Sequence, residues 1–144
     1  MRVEYGEIAI AVGESEEDCK KFAGAISNMP ADFGRNYRVI TLKNGAAVRI
    51  KYEDIMRDRI KDVRAIIIEN NHHYGGYSVT EQYLGEMKKK GVKVLILGHV
   101  EGNGDLERMA LSAGAFACIP GKSLFVVGDT LEKALTLNTD PDSK

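Results

Sequence analysis

Apolar and polar positions along this chain fall into blocks of two kinds. Glu7–Val12, Ala65–Ile68 and Val92–Leu97 are short runs dominated by apolar residues. Between them lie stretches whose apolar residues recur every three or four positions, such as Phe22, Ala25 and Ile26, or Val79, Tyr83, Leu84 and Met87. Short apolar runs alternating with amphipathic segments predict parallel strands covered by helices on both faces. Strands are expected over residues 7–12, 37–42, 65–68, 92–97 and 116–119. Helices are expected over 15–28, from about 45 onward with less regular apolar positions at Val48, Ile50, Ile55 and Ile60, and over 78–90, 105–113 and 129–137. Ser15 with Asp18, Ser78 with Glu81, and Asp129 with Glu132 have the three-residue spacing of a helix-starting capping box. Residues 124–127 fit either an extra strand or an early turn of the last helix.

Five strand–helix units joined by right-handed crossovers give an α/β fold: a single five-stranded parallel sheet, doubly wound, with helices in a layer on each face, of the flavodoxin-like kind. Residues 1–137 form one expected domain. Residues 138–144 are polar, contain Pro141 and are expected to fray. In such a sheet chemistry gathers where the strands end at their carboxyl edge.

Composition narrows the functions. At 144 residues the chain is one domain's length, and 20 basic against 21 acidic residues leave no global field to draw it onto nucleic acid or an anionic membrane. No apolar run approaches the roughly 18 residues of a membrane span, and the start lacks a basic region followed by an apolar core. A cytoplasmic protein is expected. Cys19 sits among charged residues of a predicted helix and Cys118 in an apolar strand; two distant cysteines make neither a disulfide framework nor a metal knuckle, so a surface bystander and a buried thiol are expected.

The predicted carboxyl edge collects all three histidines, His72, His73 and His99, with Glu14, Glu69 and Glu101. Imidazole and carboxylate together suit a divalent metal, and one histidine beside a carboxylate suits a general base. A small flavodoxin-like metal- or ligand-binding domain or enzyme using His72, His99, Glu14 and Glu69 is one reading. The other is that polar loops at this edge hold no ligand.

The order of four segments carries a resemblance: NG followed by alanines after strand two, AIIIEN at strand three, GVKVLILG at strand four, and SAGAFACIPGK into strand five. In that order they resemble the receiver domain of response regulators. The resemblance implies a phosphoacceptor aspartate at the end of strand three, beside a divalent metal held by two further acidic groups after strand one, an oxygen cage of the type a hard cation requires. Here the acceptor position is Glu69 and the acidic pair is Gly13 and Glu14. The extra methylene of Glu69 would displace an acyl phosphate by about 1.5 Å, which positioning-dependent chemistry tolerates poorly. The family's hydroxyl residue after strand four corresponds to Gly98. Its lysine corresponds poorly to Lys122, which follows Pro120 and Gly121 instead of preceding the proline, and its aromatic switch position falls near Cys118, with Phe116 expected on the same strand face.

Taken together these departures imply a degenerate, pseudo-receiver-like module without phosphorylation chemistry, not an enzyme, holding no cofactor. A fixed carboxylate at Glu69 either imitates the phosphorylated form, with one charge in place of the roughly 1.5 to 2 of a phosphate, or simply ends a strand. With only a short tail after the last helix, a stand-alone module acting through a protein partner or a homodimer is expected. The contact face would draw on Met109, Leu111, Phe116, Leu124, Phe125 and Val126, with the run 124–126 exposed. Lys88, Lys89 and Lys90 are most simply a cationic helix end, with a partner patch as the alternative.

Overall fold

A computed structural model describes residues 6–31, 33–42, 45–69, 80–98, 104–121 and 123–137. In chain order the elements are β1 (Gly6–Ala11), α1 (Glu16–Ser27), the short α2 (Phe33–Asn36), β2 (Tyr37–Thr41), α3 (Gly45–Met56), β3 (Val63–Glu69), a 3-10 turn (Glu81–Tyr83) running into α4 (Leu84–Lys89), β4 (Lys93–Leu97), α5 (Gly104–Ala113), β5 (Ala117–Ile119) and α6 (Leu124–Leu137). The five strands form one sheet in the order β2-β1-β3-β4-β5, and every pairing is parallel. The expected doubly wound α/β architecture is therefore the observed one.

Strand alternation divides the core into two layers. Ile8, Ile10, Ala65, Ile67, Leu95, Leu97 and Ile119 pack with Cys19, Ala23 and Ile26 of α1, Phe33 of α2, and Val127, Leu131, Ala134 and Leu135 of α6. Ala9, Ala11, Ile66, Ile68, Val94 and Ile96 point the other way, onto Val48, Tyr52 and Ile55 of α3, Leu84 and Met87 of α4, and Ala110 of α5. Burial on both faces is what makes the strands read as continuous apolar runs. Within the second layer the Tyr52 ring stacks on Tyr83 with centroids 5.1 Å apart, and the Tyr52 and Thr80 hydroxyls share a buried hydrogen bond of 3.1 Å. Burial raises the Tyr52 phenol well above its ordinary pKa, with the bond to Thr80 opposing the shift.

Local signals account for several boundaries. Ser15 caps α1, its Oγ accepting from the Asp18 N–H at 3.1 Å. The Ser78–Glu81 capping box falls partly outside the described residues. Four expectations need correction. The last helix, α6, starts at Leu124 and not near Asp129, so of the two readings of residues 124–127 the early helical turn is the observed one: the Val127 N–H donates to the Ser123 carbonyl at 2.9 Å, and Val127 continues the buried stripe of Leu131, Ala134 and Leu135. On α3, Ile50 is exposed, and the core positions are Val48, Tyr52 and Ile55. The cysteines exchange roles: Cys19 is fully buried, its Sγ donating to the Ile10 carbonyl at 3.1 Å, whereas Cys118 is partly exposed. Phe116 and Cys118 do not share a face, because Phe116 precedes β5 and packs with the α1/α6 layer while Cys118 packs with the other.

Candidate functional site at the carboxyl edge

Parallel register brings the ends of β1 and β3 side by side, with Ala11 opposite Ile68. The next residues form the site. Glu69, half-buried at the last position of β3, extends its carboxylate across to the loop after β1, where Oε1 accepts the Gly13 N–H at 2.7 Å. This is a charge-assisted bond in the short range for its type. Gly13 holds φ +108°, and a Cβ there would lie 2.7 Å from the Asp18 Cβ in the first turn of α1. Only glycine combines that conformation with so close an approach. Glu14, next in sequence, is exposed.

The neighbouring strand end is closed by backbone. Gly98 follows β4 with φ +90°, and its N–H donates to the Ile119 carbonyl at 3.1 Å and the Gly121 carbonyl at 3.3 Å. Position 98 therefore ties the end of β4 to the end of β5 and offers no side chain to the site. Cys118, on β5 opposite Ile96, has its thiol pushed up to about 11, first by burial and then by the negative charge of Glu107. It is a protonated, weakly nucleophilic sulfur at neutral pH.

Of the residues expected at this edge, the structure brings Glu69 beside the loop carrying Glu14 and places Gly98 at the end of the adjacent strand. His72, His73, His99, Glu101 and Lys122 lie outside the described residues. Among the described residues no group of three or more histidine, cysteine, aspartate or glutamate side chains is arranged to hold a metal ion. No motif in the sequence signals that the Gly13 amide is a partner of Glu69. A glycine directly after the first strand signals a turn and no more, since turns at strand ends select it.

Elsewhere on the surface, the first turn of α6 is apolar and open: Leu124 is 38%, Phe125 81% and Val126 42% exposed. Met109 and Leu111 on α5 are exposed as well. Phe116 is instead partly buried, with the Lys93 ammonium 5.5 Å from its ring centroid.

Five parallel strands in this order, layered by helices on both faces, form the doubly wound arrangement found in response-regulator receiver domains, the CheY-like fold. Solved structures share it with this chain. A CpaE2 pilus assembly protein from Sinorhizobium meliloti 1021 superposes with a TM-score of 0.60 at 15% identity, covering 89% of this chain and 98% of that one. A CpaE pilus assembly protein from Caulobacter crescentus CB15 gives 0.57 at 11% identity, covering 92% and 98%. A DNA-binding response regulator of the LuxR family from Staphylococcus aureus gives 0.55 at 17% identity, covering 90% and 98%. No protein-family model matches the sequence, and no curated protein matches it significantly. Among the described residues no helix is long and apolar enough to cross a membrane.

Proposed function

We propose that this chain is a pseudo-receiver: a signalling module with the receiver fold that works by protein contact and not by phosphoryl transfer. The observation that carries this reading is the Glu69–Gly13 hydrogen bond. Glu69, which this reading assigns to the position of a receiver's phosphoacceptor, has its carboxylate engaged by backbone from the adjacent loop at 2.7 Å. Gly98 has no hydroxyl with which to follow a phosphate. The fold occurs both in a DNA-binding response regulator and in pilus assembly proteins, so it serves more than one kind of output. What it supplies to this chain, in our reading, is a surface.

The apolar first turn of α6 is the part of that surface assigned to contact, either with a partner protein or with a second copy. Three consecutive exposed apolar side chains, Leu124, Phe125 and Val126, cost solvation that a bound partner recovers. Phe125→Asp should convert a dimer to a monomer in sedimentation with the melting curve unchanged; an identical profile for both proteins rejects the assignment. Incubation with acetyl phosphate and magnesium should add no labile phosphoryl mass. A labile adduct lost in Glu69→Ala would instead make this a working receiver. The metal reading for His72, His73, His99 and Glu101 has its own readout: metal-stripped protein whose melting temperature rises with zinc, nickel or manganese, and no longer does so in His72→Ala, would replace the contact reading with a metal site.

A further inference from the structure

At the opposite end of the sheet, where the strands begin, a groove of about 940 Å³ opens between the end of α4, the end of α6 and the short α2. Its base is apolar: Phe33 and Leu135 are buried beneath it, and the partly exposed Ala31 and Tyr37 carry the apolar surface it presents. Its rim is cationic. Arg64 comes from β3, Lys93 from β4, and Lys88, Lys89 and Lys90 from the end of α4, while Glu132 is the single carboxylate among the described lining residues.

Part of this charge has a structural explanation. Cations at a helix C-terminus offset its exposed carbonyls, the Lys90 ammonium binds the Asp58 carboxylate at 2.8 Å, and Lys93 lies over Phe116. The remainder does not reduce to that. Arg64 stands on a strand, whose net dipole is small, and its guanidinium donates to the Lys61 carbonyl at 3.3 Å without meeting a carboxylate among the described residues. Lys88 and Lys89 are exposed and make no ion pair with any described carboxylate. Like charges gathered around a concave apolar floor repel one another, and the cleft focuses their field onto whatever enters it.

We propose that this groove binds an acidic peptide segment of a partner protein, one that alternates carboxylates with apolar side chains. The apolar floor takes the apolar residues, and the rim pairs with the carboxylates. A compact phosphate-bearing ligand fits less well: four of the five cations are lysines, flexible point charges, and a single guanidinium offers only one bidentate fork. The site lies at the other end of the sheet from Glu69 and stands independently of the contact assigned to α6.

Fluorescence anisotropy with the full chain tests it, using a labelled peptide Glu-Leu-Asp-Glu-Phe-Asp-Leu-Glu, its glutamine and asparagine counterpart, and inorganic tripolyphosphate as competitor. The acidic peptide should bind saturably and weaken with salt. The neutral peptide, and the double variant Lys88→Glu, Lys89→Glu, should bind about tenfold more weakly or worse. Arg64→Gln should weaken binding severalfold, and Lys20→Glu on α1 should leave it unchanged. Circular dichroism melting of each variant separates lost binding from lost fold. Absence of saturable binding, equal affinity for the neutral peptide, or displacement by equimolar tripolyphosphate overturns the proposal. A severalfold gain in affinity on deleting residues 138–144 would give the groove to the chain's own tail, and concentration-dependent self-association abolished by the double variant would give it to a second copy; either result also overturns it.

Discussion

The two ends of the sheet use charge in opposite ways. At the carboxyl edge the charged group best placed for chemistry, Glu69, is drawn into the scaffold, its carboxylate accepting a backbone N–H of the facing loop. At the amino edge the cations of α4, β3 and β4 surround a groove with an apolar base, and of the five only Lys90 pairs with a described carboxylate. A charged side chain supports stability when it satisfies a partner shielded from water, and adds little when it stands in solvent. The carboxyl edge should therefore respond to mutation as structure, the amino edge as surface.

The largest effect is expected at Gly13. Gly13→Val forces a branched side chain into φ +108° and against Asp18, and should lower the free energy of unfolding by about 3 kcal/mol in urea titration. A loss below about 1 kcal/mol would mean that the loop moves aside freely and that its bond to Glu69 is incidental. Glu69→Ala should cost about 1.5–3 kcal/mol by leaving the half-buried Gly13 N–H without its charged acceptor. Glu69→Gln, which retains an accepting oxygen, should recover most of that. Equal losses for alanine and glutamine would show that the negative charge, not the hydrogen bond, is what the site requires.

A smaller effect concerns pH. Burial raises the Cys118 thiol from about 9 to about 11, so in that interval the folded chain holds a proton that the unfolded chain has released. Stability from this group is complete below pH 9 and is lost as pH rises toward 11. The loss should be about 1–2 kcal/mol, read as the difference in pH slope between the wild type and Cys118→Ala. Matching slopes would place the thiol in a more solvated setting than β5 provides. The smallest effect belongs to the amino edge: Lys88→Ala with Lys89→Ala should change stability by less than about 0.5 kcal/mol. A larger loss would give those lysines a structural role and erase the contrast between the two ends.

Much of the scaffold was legible from residue order. Ala65–Ile68 and Val92–Leu97 could be read as central strands because both of their faces are buried, and Ser15 marked the start of α1 because capping depends on nearest neighbours alone. Open readings and errors arose where local pattern underdetermines packing. Four apolar residues at 124–127 suit a strand as well as a helix; what decides is the i, i+4, i+7, i+8 stripe of Val127, Leu131, Ala134 and Leu135 against the sheet. Ile50 is more apolar than Tyr52, yet only Tyr52 meets Tyr83 and Thr80 across the layer. Charged neighbours made Cys19 look exposed, although α1 turns it inward against Ile10.

The sequence by itself determined the number of the strands, their order along the chain and their burial on both faces. Those properties follow from periodicity and composition, which each segment carries alone. Only the tertiary structure decided that Glu69 reaches Gly13, that Gly98 locks β4 to β5, and that cations from α4, β3 and β4 meet around Phe33 and Leu135. These pairings join residues far apart in the chain. They exist because parallel crossovers set strand ends and helix ends side by side, an arrangement that no local stretch of sequence encodes.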